Sequence, residues 1–483
     1  MGSVWCLVFG VWLLSISSSQ RMPPGKTTNT TYVTRNTKHQ TLFNMKILQN
    51  ARVVQLQPGS VQDKMDIVVE GSTILDVGQR LTETYPGAEV TDLHGAMVTP
   101  GIVCSHNHFY SGLARGILAT IPPSSDFVSI LQNLWWRLDR ALDEESLYAS
   151  GLICALEAIK AGTTSVIDHH ASPSFIRGSL QVLKSCYEQA GLRGILCYET
   201  TDRNGRAGLK AGVEENIEFA KSVDRAKANG QRYLVEAAIG GHAPFTLDDE
   251  ALSMLADAIT TTGRGFHVHV AEDRYDTSYS HHRYGQDILQ RLEEFGLVNE
   301  KSLFAHCVHV NESDIDIINA HDAFVLHNAR SNMNNSIGYA EQLAAFTHVA
   351  LGTDGIGSNM FEEMKVAYFK HKDAGGAYWP GDFLRFLHNG NEILARYFHK
   401  KFGRIEKGYQ ADLTIYDYDV PTPLAGENIA GHFVFGLSSR DVESVMIDGE
   451  FVYQHRQFPF EVAPIYEKAR REAQRLWNRM DAN

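Results

Sequence analysis

The chain has 483 residues, 43% apolar and 21% charged, with 40 glycines against 14 prolines, a composition that fits globular protein in about two domains and argues against extended disorder. A formal net charge of −13 works against electrostatic capture of phosphate backbones or anionic lipid, so nucleic acid and membrane-surface partners are disfavoured. Six cysteines, none at C-x-x-C spacing, are too few for a disulfide framework, and Cys104, Cys154, Cys197 and Cys307 sit in apolar runs as buried thiols.

Residues 1–19 carry the apolar run VWCLVFGVWLLSI followed by small residues. The run is shorter than the roughly 20 residues a spanning helix needs and has the shape of a signal-peptide core. No Lys or Arg precedes it, so two readings stand: a secretory leader, or an extension ahead of an enzyme that begins at Met45 and stays in the cytoplasm. Residues 20–44 are polar and aperiodic and are expected to be a disordered linker.

From Met45 to residue 96 short runs alternate apolar and polar residues, as in MKILQNARVVQL and MDIVVEGSTILDVG, which predicts a β-meander. Over residues 97–402 strand-like runs alternate with amphipathic helices. The strand candidates are MVTPGIVCSH, TTSVIDHH, LRGILCYE, YLVEAAIG, RGFHVHVA, SLFAHC, AFVLHN and HVALGTD, and eight parallel strands close a (β/α)8 barrel of TIM type. The intervening helices open on acidic residues and close on glycine, as EESLYASGLICALEAIKAG does. Short strands return over residues 403–460 and are expected to pair with residues 45–96 as a small β-sandwich built from both flanks of the barrel. A charged helix over residues 461–483 ends the chain.

The chemistry-bearing residues fall at the C-terminal ends of the barrel strands, where such barrels catalyse. His106 and His108 are two apart at the end of the first strand and leave the same face, a chelating arrangement. An isolated H-x-H is more often a loop cap, but His267 and His269 end strand five, His306 and His309 follow strand six, and Asp354 follows strand eight. Imidazoles with one carboxylate suit Zn2+ and also Fe2+. The spacing His269-x-x-Glu272 sets a carboxylate beside a ligand, fit to move a proton as general acid/base.

H-x-H, HAPF, H-x-x-E, AHCVH and GTDG, in this order across residues 45–455, resemble the cytosine-deaminase-like branch of the amidohydrolase superfamily, and IDHHASP, HAPFT, HNARSNMNN and ALGTDGIGSNM resemble its SsnA type of aminohydrolase. The resemblance implies that His106, His108, His269 and Asp354 hold one divalent metal ion, with Glu272 and His306 beside the attacking water and His242 on the substrate. Asp354 is also expected to accept a proton from that water. His267 is expected to point away from His269 as a structural core histidine, and His309 to start the next helix. Of the adjacent His169 and His170 only one faces inward, and His170 is expected to meet substrate. Arg330 is a candidate cation for an acidic or carbonyl-bearing substrate, with an ion pair to a neighbouring acid as the alternative. His327 and Asn328 are expected to buttress its loop, and Trp135 and Trp136 to line the pocket or simply pack. The fourth strand offers no lysine to bridge two metals, so one ion is expected.

The implied reaction is hydrolytic deamination of a small purine- or pyrimidine-like amidine. Cyclic amide opening or dechlorination on the same site, and an inactive barrel serving as a binding or assembly protein, are the alternatives. A homo-oligomer is left open.

Overall fold

Alternating apolar residues from Met45 onward build the first strands of the computed structural model, which describes residues 45–482; the leader and linker expected over residues 1–44 lie outside the described residues. β1 (Met45–Leu56) pairs antiparallel with β2 (Gly59–Glu70), and β2 with β3 (Thr73–Gly78). β4 (Glu89–Asp92) and β5 (Met97–Pro100) both lie parallel to β1.

The C-terminal flank joins the same sheet. After the barrel, β15 (Leu413–Tyr416) pairs antiparallel with β5 from Leu413↔Pro100 to Tyr416↔Met97, and carries β16 (Val442–Ile447) and β17 (Glu450–Tyr453) beyond it. One eight-stranded sheet results, in the order β17-β16-β15-β5-β1-β2-β3 with β4 also on β1. Its inward residues, among them Leu48, Val53, Ile67, Val98, Leu413 and Met446, form a core of their own. Met97–Pro100, expected in the barrel, belongs to this sheet. The chain crosses into the barrel at Gly101, where a Cβ would stand 2.4 Å from Thr164 Oγ1 and 3.2 Å from the Asp412 backbone oxygen; only glycine passes there.

The barrel staves follow in chain order: β6 (Ile102–Asn107), β7 (Thr163–His170), β8 (Arg193–Tyr198), β9 (Val235–Ala237), β10 (Ile239–Gly240), β11 (Phe266–Val270), β12 (Leu303–His306), β13 (Phe324–His327) and β14 (Val349–Leu351). Neighbours are parallel throughout. β9 and β10 are two halves of the fourth stave, interrupted at Ala238, so the expected eight staves are present. The ring closes where the N–H groups of Thr353 and Asp354 both donate to the His106 carbonyl, at 2.9 and 3.1 Å. Alternate strand residues, including Val103, Ile167, Ile195, Leu303, Ala305 and Leu326, fill the interior, and Phe398 and Phe402 pack against them. This is the filled core of such barrels rather than a pore.

The helices start and stop as their caps dictate. Asp143 and Ser146 form a capping box at the helix Glu144–Lys160, and Asp248 caps Asp249–Thr262, which ends on left-handed Gly263; each N-cap contributes about 1 kcal/mol. A final helix, Ala463–Ala482, docks through Trp477 Nε1 on the Leu113 carbonyl and Arg479 Nε on the Ala141 carbonyl. Barrel and flank sheet are tied by Arg193 of β8, wholly buried, which reaches Asp412 at 2.6 and 3.0 Å and Asp448 at 3.2 Å. Among the described residues no helix is long and apolar enough to cross a membrane.

Candidate metal centre

His106 lies in β6 and His108 just past it, so their side chains leave one face toward the barrel axis. His269 lies in β11, His306 ends β12, and Asp354 follows β14. At these strand ends four non-glycine residues adopt left-handed backbone: Ala271 (φ 47°), His306 (φ 74°), Cys307 (φ 47°) and Asp354 (φ 51°). Each costs roughly 1–3 kcal/mol, and such strain collects where side chains must be aimed.

The donor atoms meet. His108 Nε2 is 2.8 Å from Asp354 Oδ1 and 3.2 Å from His269 Nε2, and His106 Nε2 is 3.5 Å from the same carboxylate oxygen. Donor atoms of His106, His269, His306 and Asp354 all lie within 4.8 Å of one another. Ligands at about 2.0–2.2 Å from one ion stand about 3.4 Å apart in a tetrahedron, which matches this spacing. A second grouping of His108, His169, Glu199 and His269 shares His269 with the first, and its His108 Nε2 lies 2.8 Å from the first grouping's Asp354 Oδ1, so the two cannot be filled independently.

Behind three of the imidazoles, those of His108, His306 and His106, stands a partner that fixes the ring's orientation. His108 Nδ1 donates to the His169 carbonyl at 2.5 Å, His306 Nδ1 meets Asn332 Oδ1 at 2.8 Å, and His106 Nδ1 meets His267 Nε2 at 2.9 Å. Ser331 Oγ donates to Asp354 Oδ2. With their outer nitrogens engaged, His106 Nε2 and His306 Nε2 are left buried and without a hydrogen-bond partner among the described residues. An orphaned His106 nitrogen 3.5 Å from the Asp354 carboxylate is what an ion would satisfy.

Charge is distributed unevenly. Burial pulls His106 down to about 3. Burial also opposes charge on His108, but Asp354 outweighs it and lifts that imidazole to about 9. Asp354 is itself held well below the usual carboxylate range, its burial overcome by His108 and His106. Glu272, three residues past His269, is pushed well above its ordinary value by burial and by the Asp354 charge. Its Oε2 lies 3.6 Å from His306 Nε2 and its Oε1 3.5 Å from Asn335 Nδ2.

These groups open on a cleft of about 610 Å³ walled by Trp135, Trp136, His242 and Ile356. His242 accepts from or donates to Thr246 Oγ1 through Nδ1 at 2.8 Å, and its ring stands 5.6 Å from that of His269. The structure therefore brings together His106, His108, His269, Asp354, Glu272, His306 and His242.

Three expectations are corrected. Arg330 does not line the cleft; its guanidinium is taken by Glu363 at 2.6 Å and Glu362 at 3.1 Å, the ion-pair alternative. His170 also stays out of the cleft, its Nε2 on Ser172 Oγ at 2.8 Å; the inward member is His169, whose ring lies 4.8 Å from that of His269. His267 does not point away from His269, because residues two apart on a strand share a face. It lies under the candidate ligand cluster, fully buried and bonded to His106.

The sequence reading passed over Glu199, Asp139 and Arg203, which also line the cleft. Glu199 follows β8 directly, so the strand-end rule that found the histidines also points to it. Asp139 pairs with Arg203, whose guanidinium lies over the Trp136 ring at 4.9 Å; that pair joins segments more than sixty residues apart and leaves no local signature.

Residues 97–452 match the Amidohydrolase family. The 5-methylthioadenosine/S-adenosylhomocysteine deaminase of Pelotomaculum thermopropionicum is 30% identical over 447 residues, covering 90% of this chain and 99% of that protein. The 5'-deoxyadenosine deaminase of Methanocaldococcus jannaschii is 28% identical over 84% of this chain and 95% of its own. In fold, the chain superposes on a zinc-bound adenosine deaminase from Xanthomonas campestris with a TM-score of 0.75 and 23% identity, over 90% of this chain and 98% of that one.

Proposed function

Because the chain belongs to the amidohydrolase family, we propose that it is a hydrolytic deaminase of an aminated heterocycle of the adenosine type, working with one Zn2+ held by His106, His108, His269 and Asp354. The observation that carries this reading is the orphaned His106 Nε2 facing Asp354 beside the His108 and His269 imidazoles. When bound, such an ion supplies water acidic enough to attack at neutral pH, its pKa brought to about 7.

The remaining steps belong to side chains. Glu272 takes a proton from the attacking water and delivers it to the exocyclic nitrogen, so that C–O forms, C–N breaks and ammonia leaves. The His306 imidazole, anchored by Asn332, steadies the oxygen as it acquires charge. Asp354 accepts the second proton of the water and passes it on, so that it ends on the ring nitrogen beside the carbon attacked and the product leaves as the neutral carbonyl form. His242 hydrogen-bonds the ring, and Trp135 and Trp136 give it an apolar wall. The relatives named above are deaminases of adenosine derivatives, which supports an adenine-like ring over other amidines. The flank sheet around its own core is read as the small β-sandwich, with the barrel between residues 101 and 402.

The test is ammonia release from metal-loaded protein against adenosine, 5'-deoxyadenosine, 5'-methylthioadenosine and guanine, with metal content by elemental analysis. Turnover of at least one adenine nucleoside at about one equivalent of Zn2+ is expected. Full metal occupancy with no ammonia from any of them refutes the reading, and iron in place of zinc corrects the ion.

A further inference from the structure

His267 does not line the cleft, yet among the described residues it makes the one side-chain hydrogen bond that His106 has besides its contact with the Asp354 carboxylate. Two facing imidazole nitrogens share a single proton, so the 2.9 Å contact between His106 Nδ1 and His267 Nε2 has a direction. Were the proton on His267 Nε2, a neutral His106 would carry its own on Nε2, aimed into the ion site and blocking ligation. A His106 that binds an ion through Nε2 must therefore donate from Nδ1, and His267 must accept on Nε2 and keep its proton on Nδ1.

What lies behind His267 suits that arrangement. Its Nδ1 stands 3.6 Å from Cys197 Sγ, and the thiol in turn reaches the Asp168 carbonyl at 3.7 Å, so a single chain of donors runs from His106 to a backbone oxygen. The ring cannot swing away. It stacks on His169 at 4.5 Å between centroids, and His169 is pinned through Nε2 to the Gly241 carbonyl at 3.1 Å. His267, His169 and Cys197 are all wholly buried, and a wholly buried imidazole with no carboxylate bonded to it is an acceptor in its neutral form.

We propose that His267 is a positioning residue that fixes the tautomer and ring plane of His106, so that ion affinity depends on a buried imidazole which meets neither ion nor substrate. The proposal rests on the reading of His106 as a ligand. Loss of an outer partner of a ligating histidine typically weakens metal binding about 10- to 100-fold.

The experiment measures the Zn2+ dissociation constant by chelator competition for wild type, His267→Met, His267→Gln and His267→Asn, and the visible spectrum of each loaded with Co2+. Methionine removes the acceptor, glutamine sets an amide oxygen near the Nε2 position, and asparagine is too short to reach His106. Expected are a Kd raised about 10- to 100-fold and a shifted Co2+ spectrum in H267M, and recovery to within about 3-fold of wild type in H267Q. If H267M does not fold, H267N against H267Q makes the same comparison, with weaker binding expected for asparagine. Equal Zn2+ affinity and unchanged Co2+ spectra across the foldable variants overturn this proposal alone; a wild type that binds no metal overturns it together with the function it rests on.

Discussion

Replacing Glu272 by glutamine separates proton transfer from everything else the side chain does. The amide has the carboxylate's shape, and the contacts it must preserve, to Asn335 at 3.5 Å and His306 at 3.6 Å, are long ones whose loss costs under about 1 kcal/mol. None of the four expected ligands bonds to Glu272. Folding and metal content should therefore stay at wild-type level. On the proposed mechanism Glu272 both takes the first proton from water and delivers it to the leaving nitrogen, and each general acid/base step is worth about 10²- to 10⁴-fold. A fall in kcat of about 10⁴, or ~5 kcal/mol of barrier, is expected. Ammonia release under saturating substrate, normalised to bound zinc, measures it. A variant within tenfold of wild type at equal metal content refutes the assignment of Glu272, as does a variant that loses its metal, since that would make Glu272 a ligand.

Arg193→Met leaves Asp412 and Asp448 buried beside an apolar side chain, and breaking such a pair costs about 3–5 kcal/mol; urea unfolding should show it, and a loss under about 1 kcal/mol would mean the carboxylates find other partners. Arg330→Ala should lower stability by stranding the wholly buried Glu363 while leaving KM within about twofold, because the guanidinium is outside the cleft; a tenfold rise in KM would restore it as a substrate contact. Asp276, buried and bonded to the Ala271 N–H, is raised from 3.8 to about 8 by burial. The folded state then holds a proton the unfolded chain has released, so stability should fall as pH rises from about 4 to about 8. Asp276→Asn should flatten that slope in thermal melts across the window, and an unchanged slope would place the dependence elsewhere.

Much of this was legible because barrel strands buried on both sides read as short apolar runs, and the candidate site's side chains stand where those runs end. His106, His108, His269, His306 and Asp354 were all reachable that way. What the sequence hid depends on register and on distant partners. Which of His169 and His170 faces inward follows from their pairing with Cys197 and Tyr198 of β8, and two adjacent histidines look alike without it. Arg330 finds its acids some thirty residues further on, in the helix Met360–Asp373. The split of the fourth stave at Ala238 likewise has no mark in YLVEAAIG. The misplacement of His267 had no such excuse: the alternation that put His106 and His108 together applies equally to His267 and His269.

The seam at which Thr353 and Asp354 grip the His106 carbonyl makes the ion's first and last expected holders also the first and last pieces of the ring. On the proposed ligand set, a growing or refolding chain could not capture its ion in full until its final stave had locked against the one laid down some 250 residues earlier. Once captured, the ion would act as a rivet across that join. Damage anywhere that springs the hoop should announce itself as released metal before the helices melt.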